Sequence, residues 1–395
     1  MGDVKRVGVV GAGAVGVTAA AALAADGHDV TLFERDAVGA GSTGRAAGIC
    51  YDAFADRLDA AVAARALERF RDLAAETRFS VTDRPYVWLA REGDEKRERA
   101  IRKQVPRMRD NDRDVTLLDP DALAAEFPGL ETDDVAVAAV ARDALCADPA
   151  EYAAVVAERA SAAGATLRTG TEVAVDATPA GTESARGDSG PGATVVTPAG
   201  RERFDAVLVA AGAHTKPVLA DAGVAIQVKP YRVQALVTAP SSAAETTPTL
   251  YDATRGFYCR AKAGGFLVGD GTEERAADPD DWDRTADEDF RSDALARLDA
   301  ALSADGPTDV TDSWAGLCTA TPDRDPLVGA VAPGLFVAVG WHGHGFMRAP
   351  ALGERVADEI AGEREKESDD VLRAFDPARF DGDEEFAVVE GMTVE

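Results

Sequence analysis

The stretch that decides the fold is VGVVGAGAVGVTAAAALAADGHDVTLFER, Val7 to Arg35. Val7 to Val10 is a short apolar run rich in β-branched residues, as buried strands are. Gly11-Ala12-Gly13-Ala14-Val15-Gly16 follows, and Val17 to Ala24 has no helix breaker until Gly27. A second apolar run, Asp29 to Phe33, ends at Glu34, 23 residues after Gly11. A GxGxxG alone is weak evidence. With a strand before it, a helix after it and an acid at this distance, it reads as a dinucleotide fingerprint. Gly11 permits the tight turn, Gly13 lets backbone N–H groups near a pyrophosphate at the helix N-terminus, and Gly16 lets the helix pack closely. The loop atoms of Ala12, Ala14 and Val15 belong to the same contact, and Glu34 would accept from the ribose hydroxyls.

The residues after Glu34 say which dinucleotide. Arg35 to Gly48, RDAVGAGSTGRAAG, adds four glycines, two hydroxyls and two arginines directly after the second strand. An NAD domain needs no such loop. A loop of this kind can wrap the pyrophosphate from its other side and run on beneath an isoalloxazine ring, which implies FAD. Arg35, Gly41, Ser42, Thr43, Arg45, Ala46, Ala47 and Gly48 are therefore candidate cofactor contacts. No second strand–glycine–helix unit exists for a nicotinamide nucleotide, so an organic substrate should itself reduce the flavin.

Composition bounds the rest. With 395 residues and 46% hydrophobic content, the chain can build two sizeable cores. The formal net charge of −28, with only 7 Lys beside 35 Arg, argues against a nucleic-acid partner. Acidic residues are spread over nearly every segment, which looks like a halophile surface that stays hydrated in concentrated salt. No run of about 18 apolar residues suggests a membrane span, and the N-terminus runs straight into a strand without a cleavage site, so a soluble, cytoplasmic protein is expected. Cys50, Cys146, Cys259 and Cys318 lie far apart and read as thiols.

Along the chain, Ala147-Asp148-Pro149 opens a helix that runs to about Ala163. Thr166 to Val175 reads as a strand, 178–192 as a surface turn, and Phe204 to Ala210 as a buried strand that ends at Ala211-Gly212, where the chain can pass close to the cofactor. Segments 80–143 and 224–310 have a different texture, with short alternating strands bounded by turns.

These motifs together resemble the D-amino-acid oxidase superfamily of flavoproteins, which includes glycine oxidase, sarcosine oxidase and dimethylglycine dehydrogenase. The resemblance rests on GAGAVG with FER, GSTGRAAG, ADPAEYAAVVAERASAAGATLRTGTEV, FDAVLVAAGAH, WAGLCTATPDRDPLVG and GWHGHGFMRAPALGE, in that order, and covers nearly the whole chain. It implies an α/β fold: a Rossmann-like FAD-binding domain (1–79, 144–223 and 311–368) interleaved with an α+β substrate domain on an antiparallel sheet (80–143 and 224–310). A peripheral C-terminal segment, 369–395, would follow. It further implies a backbone contact to adenine at Val173, and a helix N-terminus at Gly343-His344-Gly345-Phe346-Met347 supplying dipole near flavin N1 and O2.

The family's typical reaction moves hydride from the carbon beside an amine nitrogen to flavin N5. This chain departs from relatives at informative places. Where glycine oxidase has a carboxylate-binding arginine stands Cys318. Where sarcosine oxidase has a lysine after its GHGF stands Met347, its oxygen-activating lysine falls at Leu267, and its flavin-linking cysteine at Gly316. Non-covalent FAD is therefore expected, with a separate electron acceptor protein: a dehydrogenase rather than a fast oxidase. Arg260, Arg45 and Arg232 are the candidate carboxylate anchors, and Tyr258, ahead of Tyr251, the candidate aromatic facing the flavin. His344 is placed beside the cofactor and His342 as structural. His214, Trp314 and Trp341 are read as loop or packing residues.

The expected function is oxidation of a small amino acid or secondary amine. One rival is a 2-hydroxy acid dehydrogenase, favoured if a histidine base stands near the flavin. The other is a flavin-binding subunit without small-molecule turnover. A metal is not expected, because the His342/His344 pair lacks other ligands at suitable spacing.

Overall fold

A computed structural model describes residues 3–178, 192–270, 272–304, 306–362, 373–382 and 384–388. The fingerprint forms the centre of a six-stranded sheet in the order 327–332, 335–339, 206–209, 6–10, 29–33, 166–168. All pairings are parallel except the hairpin Leu327–Ala332 with Leu335–Val339. The helices Ala14–Ala25, Pro149–Ala162 and Gly345–Ala361 share one core with the sheet's strands. The second begins as its sequence foretells: Asp148 caps it by accepting from Ala150 N–H at 2.9 Å, with Pro149 in its first turn. The opposite core joins the sheet to a three-stranded antiparallel sheet, 174–178, 192–197 and 200–204.

The substrate domain is an eight-stranded sheet in the order 310–320, 229–238, 265–270, 257–262, 249–252, 86–91, 135–141, 115–118. It is antiparallel throughout but for one parallel pair, Thr249–Asp252 with Tyr86–Arg91. That junction carries a buried ion pair, Arg91 Nε to Asp252 at 2.7 Å.

Three expectations change, and a fourth cannot be compared. The strand Val310–Ala320 pairs along its length with Lys229–Thr238, so the chain leaves the substrate sheet only after Ala320, not at 311. Thr166–Val175 is not one strand but two, Thr166–Arg168 and Ala174–Thr178, because the chain changes sheets between them. The C-terminal segment is not peripheral where it is described: Phe375 is buried in the nucleotide-domain core and Val388 packs with Tyr231 and Ala320. The surface turn expected at 178–192 lies almost wholly outside the described residues.

Candidate active site

A cavity of 1730 Å³ runs between the two domains. Its first half is backbone. Gly11 has φ +104°, and a Cβ there would lie 2.5 Å from Ala210 O; at Gly16 a Cβ would overlap the Gly11 carbonyl. Glu34 Oε2 accepts from Ala12 N–H at 2.8 Å and its Oε1 from Asp36 N–H at 2.9 Å, which fixes the carboxylate at the strand end on the cavity wall. Thr43 Oγ1 accepts from Ala14 N–H at 3.0 Å and lies over Gly13. Ser42 Oγ donates to Leu317 O at 2.6 Å, and Arg45 Nη1 donates to Ala40 O and Gly41 O. The N-cap residue of Ala14–Ala25 is Gly13, which has no capping side chain, so apart from Ala14 N–H, which donates to Thr43, the start of the helix and its dipole are suited to an anion.

Gly11, Gly13, Ala14, Val15, Glu34, Arg35, Gly41, Ser42, Thr43, Arg45, Ala46, Ala47, Gly48, Val173, Ala211 and Gly212 all line this cavity. Ala12 and Gly16 do not: Ala12 is wholly buried behind the turn, and Gly16 serves helix packing. A cavity with a helix N-terminus on its wall, a carboxylate at the end of the next strand and a glycine-floored loop fits FAD.

The second half begins at 340–348. Gly343, His344, Gly345, Phe346 and Met347 all reach the wall, and His344 sits at the N-cap of Gly345–Ala361. His342 takes a left-handed φ of +45°, and its Nε2 accepts from Thr321 N–H at 2.7 Å. Desolvation, then the nearby charge of Arg348 and His342, lowers the His344 pKa to about 3. Burial first lowers His342 to about 4. Both imidazoles are neutral at physiological pH. Met347 and Phe346 are largely buried in the nucleotide-domain core, with Phe346 4.9 Å from Phe70.

The far wall is aromatic. Four of the six tyrosines, Tyr51, Tyr86, Tyr251 and Tyr258, and all four tryptophans, Trp88, Trp282, Trp314 and Trp341, line the cavity. Tyr51 and Tyr86 stack at 4.3 Å, and Phe54 lies 5.3 Å from Tyr51 and edge-on to His344 at 5.9 Å. Tyr258 pairs across the sheet with Gly269 and lies over it: a Cβ at Gly269 would overlap the Tyr258 ring. Arg348, 4% exposed, reaches the wall, pairs with Asp59 at 2.9 Å and lies 5.3 Å from the Phe54 ring. Asp325 is also on this wall, its pKa raised to about 6 by burial and by Asp59.

Arg260 is not an anchor. Its guanidinium is turned away from the cavity and donates to Ala47 O and Ala147 O, holding the glycine loop to the substrate sheet. Arg232 is likewise bound to Glu273 and Asp287, away from the cavity, so Arg45 alone of the three lines it. Leu267 is fully buried and off the wall; Cys318 is on it. Trp314 is more than packing, since its Nε1 donates to Arg45 O at 3.0 Å, and His214 pairs with Asp280 at 3.1 Å. Sequence reasoning missed Tyr51, Phe54, Tyr86, Trp88, Arg348 and Gly269. Tyr86 and Trp88 carried a signal, being two apart on one strand face. Among the described residues no His, Cys, Asp or Glu cluster could hold a metal, and no helix is long and apolar enough to cross a membrane.

Comparison with known proteins agrees with this geometry. The family described as FAD dependent oxidoreductase (DAO) matches residues 6–359. Glycine oxidase from Geobacillus kaustophilus is 27% identical over 369 residues, which is 90% of this chain and 92% of that protein. The structure of L-proline dehydrogenase from P. horikoshii superposes with a TM-score of 0.81 at 26% identity, covering 96% of this chain and 98% of that one. A higher identity, 38% over 136 residues, is shared with the tRNA 5-methylaminomethyl-2-thiouridine biosynthesis bifunctional protein MnmC of Thiobacillus denitrificans, but that match spans 33% of this chain and 22% of that protein.

Proposed function

This chain belongs to the family of FAD dependent oxidoreductases, and from that premise we propose that it oxidises a small amino acid or secondary amine at its C–N bond. Bound FAD supplies the hydride acceptor. The observation that carries the reading is the aromatic wall of Tyr51, Tyr86, Trp88, Tyr251 and Tyr258 opposite two neutral histidines. Ring faces tolerate an amine in either protonation state, and burial favours the neutral amine whose lone pair the reaction needs. Tyr258 and the uncapped start of Gly345–Ala361 would orient substrate and cofactor between them.

The hydroxy-acid alternative needs a base to take the hydroxyl proton. His344 is in place for it, but an imidazole whose conjugate acid has a pKa of about 3 is a weak base at neutral pH. That favours the amine. With Leu267 and Gly316 at the positions where relatives carry a lysine and a linking cysteine, we further propose non-covalent FAD and a separate electron acceptor.

Deuterating the substrate at the carbon bearing nitrogen tests the reaction. Anaerobic flavin reduction should slow several-fold, and a carbonyl compound plus the free amine or ammonia should appear. Flavin reduction without an isotope effect, or with a carbonyl product but neither a released amine nor a cyclic imine, contradicts C–N oxidation.

A further inference from the structure

Residues 272–287 belong to the substrate domain, yet Thr272, Glu274, Asp280, Trp282 and Arg284 line the same cavity as the nucleotide turn. The arm is stapled down. Glu273 N–H donates to Arg232 O at 2.9 Å and Ala277 N–H to Pro230 O at 2.7 Å. The buried Arg232 side chain donates from Nε to Asp283 O at 2.8 Å and pairs with Asp287 at 3.1 Å. Arg232 thus fixes the arm's course along the cavity.

From this base the arm meets the nucleotide domain twice. Asp280 pairs with His214 at 3.1 Å and lies 3.9 Å from Arg35 Nη1. Four residues on, Arg284 O accepts from Ala315 N–H at 2.9 Å, while the adjacent Trp314 donates its indole N–H to Arg45 O. Arg284 and Arg45, distant in sequence, are thereby brought to one stretch of wall. Arg45 lies across Gly316, where a Cβ would come 3.5 Å from its Cδ. Burial, and after it the positive charge of Arg284, holds the Arg45 pKa below its ordinary value.

Like charges side by side are unfavourable unless an anion joins them. Arg284 leans on Trp282, 5.6 Å from the ring, and has no carboxylate partner among the described residues. Its side chain is exposed and so accessible to an anion entering the cavity. Arg45 stands two residues after Thr43, which is bonded to the first turn of Ala14–Ala25, and its Nη1 donates to Ala40 O and Gly41 O, so the loop that carries it runs beside a helix N-terminus suited to phosphate.

We propose that Arg284, presented by the substrate-domain arm, closes with Arg45 on the diphosphate of bound FAD, so that retaining the cofactor also fastens the two domains together. A guanidinium is suited to this because it offers several donors in one plane to phosphate oxygens. The inference does not depend on which substrate is oxidised.

The test is release of FAD from the holoprotein on dilution, followed by flavin fluorescence. Arg284→Ala should release FAD about tenfold faster, and Arg284→Lys, which keeps the charge, should stay within a few-fold of the parent. Release of Arg284→Ala at the parent rate overturns the proposal. So does equal acceleration in Ala and Lys variants, which would assign the effect to packing. If Arg284→Ala does not accumulate folded, Arg284→Gln apoprotein can be titrated with ADP and with adenosine. A loss of about tenfold for ADP alone supports the clamp, and equal behaviour of the two ligands contradicts it. Reduction of the flavin by amines is a separate readout that neither result decides.

Discussion

The two halves of the cavity are built from different materials. The nucleotide half is backbone: turns, helix ends and glycines whose missing side chains leave room for each other and for a cofactor. The substrate half is side chains: tyrosines and tryptophans delivered by strands and loops, and Arg348 by the helix Gly345–Ala361, which meet only in the folded molecule. Backbone geometry restricts residue type at fixed spacing, so the first half is rigid in sequence as well as in space. Side-chain walls tolerate exchange, so the second half is where specificity can change without loss of the fold.

Breaking the backbone half should have the largest effect. Gly16→Ala places a Cβ into the Gly11 carbonyl where neither element can yield, and should cost about 3 kcal/mol or more together with most bound FAD. Flavin absorbance per protein and thermal unfolding measure it. A flavin-replete variant of parental stability would show that the turn is more compliant than this structure.

The side-chain half should break differently. Gly269→Ala expels only the Tyr258 ring, which can rotate away, so FAD content and melting temperature should change little. The rate of flavin reduction should fall about a hundredfold, comparable to the loss of one positioned group. Tyr258→Phe, which keeps the ring, should fall less. If Gly269→Ala reduces at the parent rate, Tyr258 does not position the substrate.

Acidification sharpens the contrast, because both histidines belong to the segment joining the halves. Their folded pKa values of about 4 and about 3 lie below the ordinary 6.5, so between these limits the unfolded chain binds more protons. Their contribution to stability is therefore complete above about pH 6.5 and is lost progressively as pH falls toward 4. A pH series of unfolding for parent and His344→Asn should show a shallower acid loss in the variant; parallel curves would contradict a neutral, buried His344.

The smallest expected effect has the opposite sign. Asp325 is raised from 3.8 to about 6, so the folded form binds more protons between those values, and above pH 6 its charge is a penalty. Asp325→Asn should be modestly more stable at pH 8, with the gain gone below pH 4. A destabilised variant at pH 8 would mean that Asp325 is held by partners that favour its charge.

The same division explains what could be read from sequence. Gly11, Gly13, Glu34 and the Ser42–Gly48 loop were legible because a turn, a phosphate approach and a ribose contact each demand a residue type at a set distance. The end of the substrate sheet was misplaced because Val310–Ala320 is as apolar and alternating as a flavin-domain strand, and only its pairing with Lys229–Thr238 assigns it. Arg260 looked like an anchor because charge on a substrate-sheet strand invites that role. Its actual partners, Ala47 O and Ala147 O, are backbone atoms without sequence signature. Arg348 escaped because it stands one residue past the familiar glycine–histidine motif, where a helical turn carries it toward Asp59 and Phe54.

The central claim is that the aromatic half of the cavity admits an amine whose C–N bond reduces the flavin. The most direct measurement is anaerobic bleaching of the flavin absorbance against matched amino acids, N-methyl amino acids and 2-hydroxy acids. Bleaching by members of the first two groups, with none by the hydroxy acids, is the predicted result. Bleaching by hydroxy acids alone, or by nothing in the panel, would contradict it.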